Sequence, residues 1–353
     1  MKIKNIILIL VVVGIVGTIF YFESQRPDQI SIDDADIEIQ SKEEKTEKYE
    51  PAKELVGTQG FINSEPFKIA DYIGKKVILI DFWTYSCINC QRTTPYLNAW
   101  WDKYEDDGLL IVGVHTPEFE FEKKYENVLE ATEKFGIEYP VVQDNNYSTW
   151  RAYSNRYWPR KYLIDIDGFI VYDHIGEGAY EETEQKIREL LMERKIVLGE
   201  SGGIDKDTAD PKGVEDVSVR PDSPEVYFGA FRNELLANGV QKQTGHQNLK
   251  GPTDPKLNNL YLDGSWYVQK EYAENQNAGA KVIFKFKARK VNLVAESDEP
   301  VNIKVFIDGK ETKEVTVKSS QLYELVDLPE KGEHVLELII EDPSARLYTF
   351  TFG

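Results

Sequence analysis

Basic residues are scarce in this 353-residue chain, which carries 42 lysines and arginines against 61 aspartates and glutamates and so has a formal net charge of −19 at pH 7. A nucleic-acid-binding protein needs a basic face against phosphate, and this composition argues against one. The length is sufficient for two ordinary domains.

Cysteine and histidine are also scarce, with only 2 cysteines and 4 histidines in the whole chain. Two cysteines cannot cross-link a secreted scaffold of this size. Together with the scattered histidines they cannot complete a cysteine-rich zinc site either. We therefore predict no metal and no other cofactor, and we expect the two cysteines to act as a pair.

One long apolar run lies near the N-terminus, from Ile6 to Phe22, after Lys2 and Lys4. At 1.5 Å per residue a helix over this run covers roughly 25 Å, which is within the range of membrane-spanning helices. The run ends in bulky residues without a small-x-small cleavage pattern, and this favours an uncleaved single-pass anchor (residues 1–22) over a cleaved signal peptide. The positive-inside rule then predicts a cell-membrane protein whose globular part is extracytoplasmic.

Two breaks in composition predict the domain organisation. Residues 23–50 contain ten acidic residues, four basic residues and one aromatic residue, which predicts a flexible acidic tether. Residues 199–222 are rich in glycine, proline and aspartate and predict a linker. The first domain is then expected at 51–198 and the second at 223–353.

A cysteine pair follows a predicted strand in the first domain. The segment Lys76–Phe82 is typical of a strand buried on both sheet faces. Cys87-Ile-Asn-Cys90 comes soon after it and apolar residues at helical spacing follow, so Cys87 should begin a helix. The free amides and the dipole at a helix N-terminus favour the thiolate of Cys87, which makes it a nucleophile. Cys90, one turn later, can attack a mixed disulfide on Cys87 and release the partner.

Three other interpretations of the pair are a structural disulfide, half of a zinc site and two inert cysteines. A disulfide across so short a span closes almost no loop and stabilises the fold little. Zinc lacks its remaining ligands. Thiol–disulfide exchange is therefore the function that this pair favours.

The residues around the pair resemble the thioredoxin family, in which a similar strand precedes CxxC and a proline stands where Pro95 does here. The resemblance implies that Asp81, six residues before Cys87, lies beneath the pair and accepts the proton of Cys90. A carboxylate in an apolar strand suits this role because desolvation raises its pKa. It also implies that Trp158 and Pro159 present the substrate, with Pro159 in the cis form.

The spacing between the sequence motifs of the first domain indicates one branch of the thioredoxin family. Cys90 and Pro159 are 69 residues apart, more than a plain thioredoxin requires. The surplus includes a predicted strand at Leu109–His115 and a charged helix from about Glu122 to Phe135. This insertion resembles the TlpA-like branch, membrane-tethered thioredoxins that often act in cytochrome c biogenesis.

Two segments are similar to DipZ-type proteins almost residue for residue, namely Phe82–Arg92 and Gly113–Phe119. Proteins of that type carry their own electron-carrying membrane domain of the CcdA type. A single anchor is expected here instead, so the resemblance implies a separate CcdA-type membrane protein as electron donor.

His115 and Glu118 follow a predicted strand on the side where the cysteines should lie. Either side chain is a candidate for tuning the cysteine pKa. The alternative is an ordinary hydrogen-bonded loop histidine.

The second domain alternates apolar and polar residues in segments that include 282–286, 301–307, 336–340 and 348–352. Half-buried antiparallel strands have this pattern, and no long helical pattern interrupts them, which predicts an all-β jelly-roll sandwich. The domain resembles the carbohydrate-binding-module-like sandwich of DipZ-type proteins. Trp266 and Tyr267 are therefore candidates for stacking a sugar ligand or a peptide, although aromatic residues in a sandwich more often form its core.

The sequence thus predicts an α/β thioredoxin-like domain followed by an all-β jelly-roll sandwich domain, with an N-terminal transmembrane helix. The expected activity is thiol–disulfide exchange with protein disulfides, with the protein as the reductant. One alternative is a thiol peroxidase of the peroxiredoxin type, for which peroxide chemistry needs a Thr-x-x-Cys environment, whereas a CxxC that opens a helix suits protein disulfides. The other is a cell-surface binding module for which the thioredoxin-like domain is a scaffold.

Overall fold

A computed structural model describes residues 29–30, 39–214 and 220–353. The predicted anchor at residues 1–22 lies outside the described residues. Among those that are described, no helix is both long enough and apolar enough to cross a membrane.

The first domain has a central seven-stranded sheet with helices packed on both faces. In chain order its elements are β1 (Gln29–Ile30), α1 (Lys42–Lys48), β2 (Glu50–Pro51), β3 (Gly60–Ile62), β4 (Val77–Trp83), α2 (Ile88–Tyr104), β5 (Leu109–His115), α3 (Tyr125–Lys134), β6 (Val141–Gln143), α4 (Ser148–Ala152), β7 (Arg160–Ile164), β8 (Phe169–Ile175), α5 (Tyr180–Leu198) and β9 (Ile204–Asp205). The strand order in the sheet is β2-β8-β7-β4-β5-β6-β3, and β1 pairs with β9 separately. This is the thioredoxin-like architecture that the sequence predicts.

Strand β4 is the centre of this sheet and is buried along its whole length. It runs parallel to β5 and antiparallel to β7. Its side chains alternate between two cores: Leu79 and Trp83 pack with α2 and α5, whereas Ile80 and Phe82 pack on the opposite face. The predicted strand with two buried faces is confirmed. Asp81 lies on the same face as Leu79 and Trp83, which is the face that α2 covers.

The predicted flexible tether differs from the structure at its C-terminal end, because Lys42–Lys48 forms helix α1 with a capping box at Ser41. Lys45 of this helix is only 3% exposed. Its Nζ lies 2.8 Å from Asp165, 2.6 Å from Asp167 and 2.5 Å from Glu193. Composition does not reveal this docking, since the three carboxylates meet Lys45 only in the folded domain.

The second domain consists of antiparallel strands in a single nine-stranded sheet. They are β10 (Val226–Tyr227), β11 (Gly245–Leu249), β12 (Leu260–Val268), β13 (Ala273–Asn275), β14 (Ala280–Glu296), β15 (Val301–Ile307), β16 (Lys310–Val317), β17 (Gln321–Ile340) and β18 (Arg346–Phe352). The all-β prediction is confirmed. The prediction of two separate jelly-roll sheets is wrong, because the sheet curls back on itself so that β18 pairs with both β13 and β14.

Two long strands explain this curled sheet. β14 has 17 residues and β17 has 20, and their pairing shifts register between Ala288 and Lys290 and again between Val291 and Asn292. Such irregularities bend a strand and increase its twist. The two strands therefore continue from one layer into the other and enclose a common apolar core. Alternation in the sequence predicts each strand, but it does not predict where a strand bends.

Candidate active site

Cys87 is the N-cap residue of α2, as the sequence predicts. β4 ends at Trp83, and the turn that follows brings the N–H of Cys87 to the carbonyl oxygen of Thr84 at 3.3 Å. The N–H of Cys90 donates to the Sγ of Cys87 at 3.4 Å, so an otherwise unpaired amide of the first helical turn points at the sulfur. Cys87 is partly exposed, and Cys90 is 2% exposed. The first cysteine is therefore the one that a substrate can reach.

Asp81 lies beneath the cysteine pair and is 2% exposed. Its Oδ1 has no hydrogen-bond partner among the described residues. Burial raises its pKa to about 7, against the attraction of the Lys161 ammonium group. Burial also raises the pKa of the Cys90 thiol, and the negative charges of Cys87 and Asp81 add to this effect. A carboxyl group that titrates near neutral pH thus lies close to the thiol that must lose a proton.

Lys161 is part of this buried site, and the sequence analysis missed it. It stands opposite Asp81 in the pairing of β4 with β7, and it is 0% exposed. Its Nζ donates to the carbonyl oxygen of Gly176 at 3.2 Å. Burial lowers its pKa, and the charges of Asp81 and Cys90 act in the opposite direction. A lysine directly before the apolar residues Tyr162, Leu163 and Ile164 of β7 was a signal available in the sequence.

Trp158 and Pro159 lie at the start of β7, on the active-site side of the domain. The peptide bond between them is cis, as the sequence predicts. The indole Nε1 of Trp158 donates to the carbonyl oxygen of Thr116 at 3.0 Å, which holds the ring in place. Trp158 and Cys87 line the same cavity. The role of these two residues in presenting a substrate stays a prediction.

His115 does not act as a charged neighbour of the cysteines. It is 0% exposed, and burial lowers its pKa to about 3, so the ring is neutral at physiological pH. Its ring packs against Tyr85 and Trp83, with centroids 5.7 and 5.1 Å away. A neutral, buried ring cannot tune the cysteine pKa through a positive charge, and His115 is the last residue of β5 rather than a loop residue.

Glu118 does lie in the cavity that contains Cys87. Its carboxylate accepts hydrogen bonds from the Arg232 guanidinium at 2.7 Å and from the Tyr227 hydroxyl at 3.0 Å. Both partners belong to the second domain. The sequence analysis placed Glu118 near the cysteines, but it did not foresee that the second domain would hold it there.

Glu122 is a second buried acidic residue of the site, after Asp81, and the sequence does not single it out. It is 0% exposed, and it accepts hydrogen bonds from the Ser86 hydroxyl at 2.6 Å and from the Ser86 N–H at 3.3 Å. Burial raises its pKa to about 7. Ser86 directly precedes Cys87, so this carboxyl group is attached to the cysteine loop. No sequence signal indicates this contact, which depends on how the segment after β5 folds back.

Thr84 bears on the choice between exchange with protein disulfides and thiol peroxidase activity. Thr84-Tyr-Ser-Cys87 has the Thr-x-x-Cys spacing that peroxide chemistry requires. In the structure Thr84 is 0% exposed, and its hydroxyl lies 3.4 Å from the Nε2 of His115. The spacing alone therefore does not separate the two activities.

The two candidate stacking residues of the second domain have different environments. Trp266 is 0% exposed in the core of the domain, and its Nε1 donates to the carbonyl oxygen of Asp263. Trp266 therefore cannot stack a ligand in this structure, since alternation along β12 turns it inward. Tyr267 is partly exposed and packs against His246, with ring centroids 4.6 Å apart. A ligand for Tyr267 stays a prediction.

Comparison with known families matches both domains. Residues 50–173 match the AhpC/TSA family, and residues 223–353 match the family described as thioredoxin-like C-terminal domain. Among solved structures, a thioredoxin-like protein in the oxidised form is 30% identical, with a TM-score of 0.38, over 41% of this chain and 97% of that one.

Two relatives extend the comparison. Protein DipZ of Mycobacterium tuberculosis is 33% identical over 305 residues, which cover 86% of this chain. The chain spans only 43% of the length of that protein. The thiol-disulfide oxidoreductase YkuV of Bacillus subtilis is 30% identical over 144 residues, which cover 41% of this chain and 96% of YkuV. With its cysteine pair at a helix N-terminus, the chain belongs to the thioredoxin-like thiol-disulfide oxidoreductases.

Proposed function

We propose that this oxidoreductase is a membrane-anchored, extracytoplasmic reductant of protein disulfides. The observation that carries the proposal is a partly exposed Cys87 at a helix N-terminus, with Cys90 and Asp81 buried beneath it. The apolar run from Ile6 to Phe22 supports the anchor, because its length suits a membrane-spanning helix.

The reaction begins when the Cys87 thiolate attacks one sulfur of a substrate disulfide. The substrate S–S bond breaks, its first sulfur leaves as a thiolate that takes a proton from solvent, and a mixed disulfide forms on Cys87. Cys90 then transfers its proton to the Asp81 carboxylate and attacks the Sγ of Cys87. The second substrate sulfur leaves, so the substrate has gained two electrons and the protein holds a Cys87–Cys90 disulfide.

The charges around the cysteine pair support the role of reductant over that of oxidant. A strong oxidant needs a thiolate that is stabilised well beyond the effect of the helix, which destabilises its own disulfide. Ile88 and Asn89 supply no positive charge between the cysteines, and burial together with the charges of Cys87 and Asp81 raises the pKa of the Cys90 thiol. The disulfide form is thus favoured relative to an oxidant. Each turnover then requires two electrons from a thiol donor, which we propose to be a separate membrane protein of the CcdA type.

The test is the reduction potential of the Cys87–Cys90 couple, measured by equilibrating the purified protein with dithiothreitol or glutathione redox buffers. We expect a value below about −200 mV, nearer to the ~−270 mV of thioredoxin than to the ~−120 mV of a strong oxidant. A potential above about −150 mV would reverse the proposed direction. The Cys87→Ser variant, which cannot form the couple, is the control for signals from other groups.

The anchor has its own test, which does not depend on the redox direction. The full chain should stay with membranes through alkaline carbonate extraction, and the same chain without residues 1–22 should be released. A membrane-impermeant thiol reagent applied to intact cells should label Cys87 if the domain is extracytoplasmic. Labelling only after lysis would contradict the proposed side of the membrane.

Thiol peroxidase activity is the second candidate, because residues 50–173 match the AhpC/TSA family and Thr84 has the required spacing before Cys87. In that reaction the Cys87 thiolate would attack a peroxide oxygen, water would leave, and the resulting sulfenic acid would condense with Cys90. Stopped-flow oxidation by hydrogen peroxide distinguishes the candidates. A reductant of protein disulfides should react much more slowly with peroxide than with a disulfide peptide.

A further inference from the structure

Cys87 does not lie on an open surface but in a cleft between the two domains. The cleft has a volume of about 340 Å³, which is within the range of ligand pockets. Cys87 and Trp158 line it from the first domain, and Tyr227, Arg232 and Thr351 line it from the second domain. The second domain thus supplies part of the wall around the nucleophile.

A second cavity of about 340 Å³ adjoins the first one. Both cavities touch Glu118, Trp158, Tyr227 and Arg232. The second cavity continues along the domain boundary to Phe231. We name these two neighbouring cavities together the interdomain groove; Cys87 lines one part of it and Phe231 lines the other.

The wall from the second domain is held firmly against the first domain. Arg232 is paired with Glu118, and its guanidinium also lies 3.6 Å from the centre of the Tyr227 ring. Tyr348, which is 3% exposed, packs edge-on against Phe119 and Phe121, with centroids 5.0 and 4.8 Å away. Buried aromatic contacts of this kind make a stable interface. The groove therefore exists before any substrate arrives.

Each domain contributes an exposed aromatic ring to the groove. Tyr157, beside Trp158, is 49% exposed and lines the part that contains Cys87. Phe231 is 62% exposed and lines the other part. Aromatic residues at a groove can bind a partner through apolar contact at little cost in side-chain entropy. The half-buried Trp158 lines both cavities, so each of these exposed rings shares a cavity with it.

We propose that the interdomain groove binds an extended, cysteine-bearing segment of the substrate that carries an aromatic or aliphatic side chain near its cysteine. The proposal rests on the proposed function, since it takes protein disulfides as the substrates. The groove must take up part of the substrate because Cys87 itself lines it. A substrate sulfur that reaches Cys87 therefore brings the chain that carries it into the cleft. An extended segment suits a recessed nucleophile, because it can reach Cys87 while its flanking side chains contact both walls. The second domain is then the element that selects substrates.

The experiment compares three disulfide substrates. Two are peptides with the same disulfide, one with phenylalanine and one with serine near the reacting cysteine; the third is a small aromatic disulfide, 5,5′-dithiobis(2-nitrobenzoate). The variants are Phe231→Ser and Tyr157→Ser. The matched control is Val240→Ser, because Val240 is 55% exposed in the second domain and lines neither cavity.

The wild-type protein should prefer the phenylalanine peptide. Phe231→Ser and Tyr157→Ser should each reduce kcat/KM for that peptide by about tenfold, mainly through KM, and should change the other two substrates less than about twofold. Val240→Ser should change none of them. Equal reduction of both peptides by the wild-type protein, or an equal loss on all three substrates, would overturn the groove while leaving the oxidoreductase function in place. If the wild-type protein reduced the small disulfide but neither peptide, the proposed function itself would fail.

Discussion

The buried carboxyl group of Glu122 accepts a hydrogen bond from the hydroxyl of Ser86 at 2.6 Å, and so it is attached to the residue that directly precedes the nucleophile. The same carboxyl group accepts hydrogen bonds from the N–H groups of Glu118 at 2.5 Å and Phe119 at 3.0 Å. These two residues contact Arg232 and Tyr348 of the second domain. Glu122 therefore joins the cysteine loop to the segment that holds the second domain.

Replacing Glu122 with glutamine should change how alkylation of Cys87 depends on pH. Burial raises the Glu122 pKa to about 7, so the group is neutral below this pH and negative above it. Ser86 directly precedes Cys87, so the ionised carboxyl group places a negative charge beside the cysteine loop. We expect Glu122→Gln to increase the rate constant for iodoacetamide above pH 7, where the wild-type carboxyl group is charged, and to leave it unchanged below pH 6, where it is neutral.

The matched control for that variant is Glu120→Gln, from the same short helical turn. The Glu120 side chain is 74% exposed and pairs with Lys123. Its removal should leave the profile unchanged. Identical profiles for the wild-type protein and Glu122→Gln would show that Glu122 only holds the loop in place.

Replacing Asp81 with asparagine should slow the step in which Cys90 releases the substrate. The carboxylate is a buried acceptor close enough to Cys90 for its charge to act on that thiol, and its pKa of about 7 makes it available around neutral pH. The loss should be largest below pH 8, where hydroxide is too scarce to replace it. Resolution of a preformed mixed disulfide, followed by stopped flow, measures this step. An unchanged pH–rate profile would return Asp81 to a structural role.

The same substitution should stabilise the fold at high pH. The Asp81 pKa is raised from 3.8 to about 7, so between these values the folded protein holds a proton that the unfolded chain has released. Stability therefore falls as pH rises through this window, and the penalty is complete above pH 7. At ~1.4 kcal/mol per pKa unit the shift corresponds to about 4 kcal/mol, and this figure already includes the attraction to Lys161. Urea denaturation at pH 5 and pH 8.5 should show a gain for Asp81→Asn that is clearly larger at the higher pH.

Replacing Lys161 with methionine should raise the pKa of Asp81 further, because the ammonium group is the attraction that now opposes burial. Methionine has a similar length and suits the apolar face. Infrared difference spectroscopy of the Asp81 carboxyl band across pH 6 to 10 measures the shift directly. The resolution step should move to higher pH in parallel. A lower Asp81 pKa in Lys161→Met would mean that Lys161 does not act through its charge.

In the reduced protein at pH 7, Cys87 should be alkylated and Cys90 should not. Cys90 is 2% exposed, and burial raises its pKa, so it is both inaccessible and protonated. Peptide mass mapping after limited treatment with iodoacetamide identifies the labelled thiol. The Cys90→Ala variant should accumulate a mixed disulfide with substrate, whereas Cys87→Ala should trap none. Preferential labelling of Cys90 would exchange the two roles.

Replacing Lys45 with alanine should release helix α1 from the first domain. Lys45 is the cation among Asp165, Asp167 and Glu193, and removing one partner of a buried ion pair costs about 3–5 kcal/mol. Limited proteolysis should then cut within Lys42–Lys48 at lower protease concentration. Lys42→Ala, on the exposed side of the same helix, is the control. Equal protection of both variants would mean that other contacts hold α1.

The sequence by itself determined the chemistry that depends on short spacing along the chain. A strand, a turn and a helix that opens with Cys87 follow from local patterns, and these patterns place Asp81 on the covered face of β4 and make Cys87 the accessible thiol. Strands and helices are local features, because the hydrogen bonding within them repeats every few residues. The cis bond at Pro159 was predicted instead from the resemblance to thioredoxins, since Pro159 is 69 residues from Cys90.

Only the tertiary structure decided which distant residues share the site. Lys161 meets Asp81 through the pairing of two strands, and Glu122 meets Ser86 through the fold of a loop. Arg232 reaches Glu118 because a second domain packs there. Ser86 and Glu122 are 36 residues apart in the sequence, and Glu118 and Arg232 are 114 residues apart. No repeating sequence pattern encodes contacts over such separations. The tertiary structure also decided the burial of His115 and Trp266, which depends on which face of each sheet becomes core. It likewise decided the position of Lys45, which its polar sequence context predicts to be in solvent, although three carboxylates surround it in the fold.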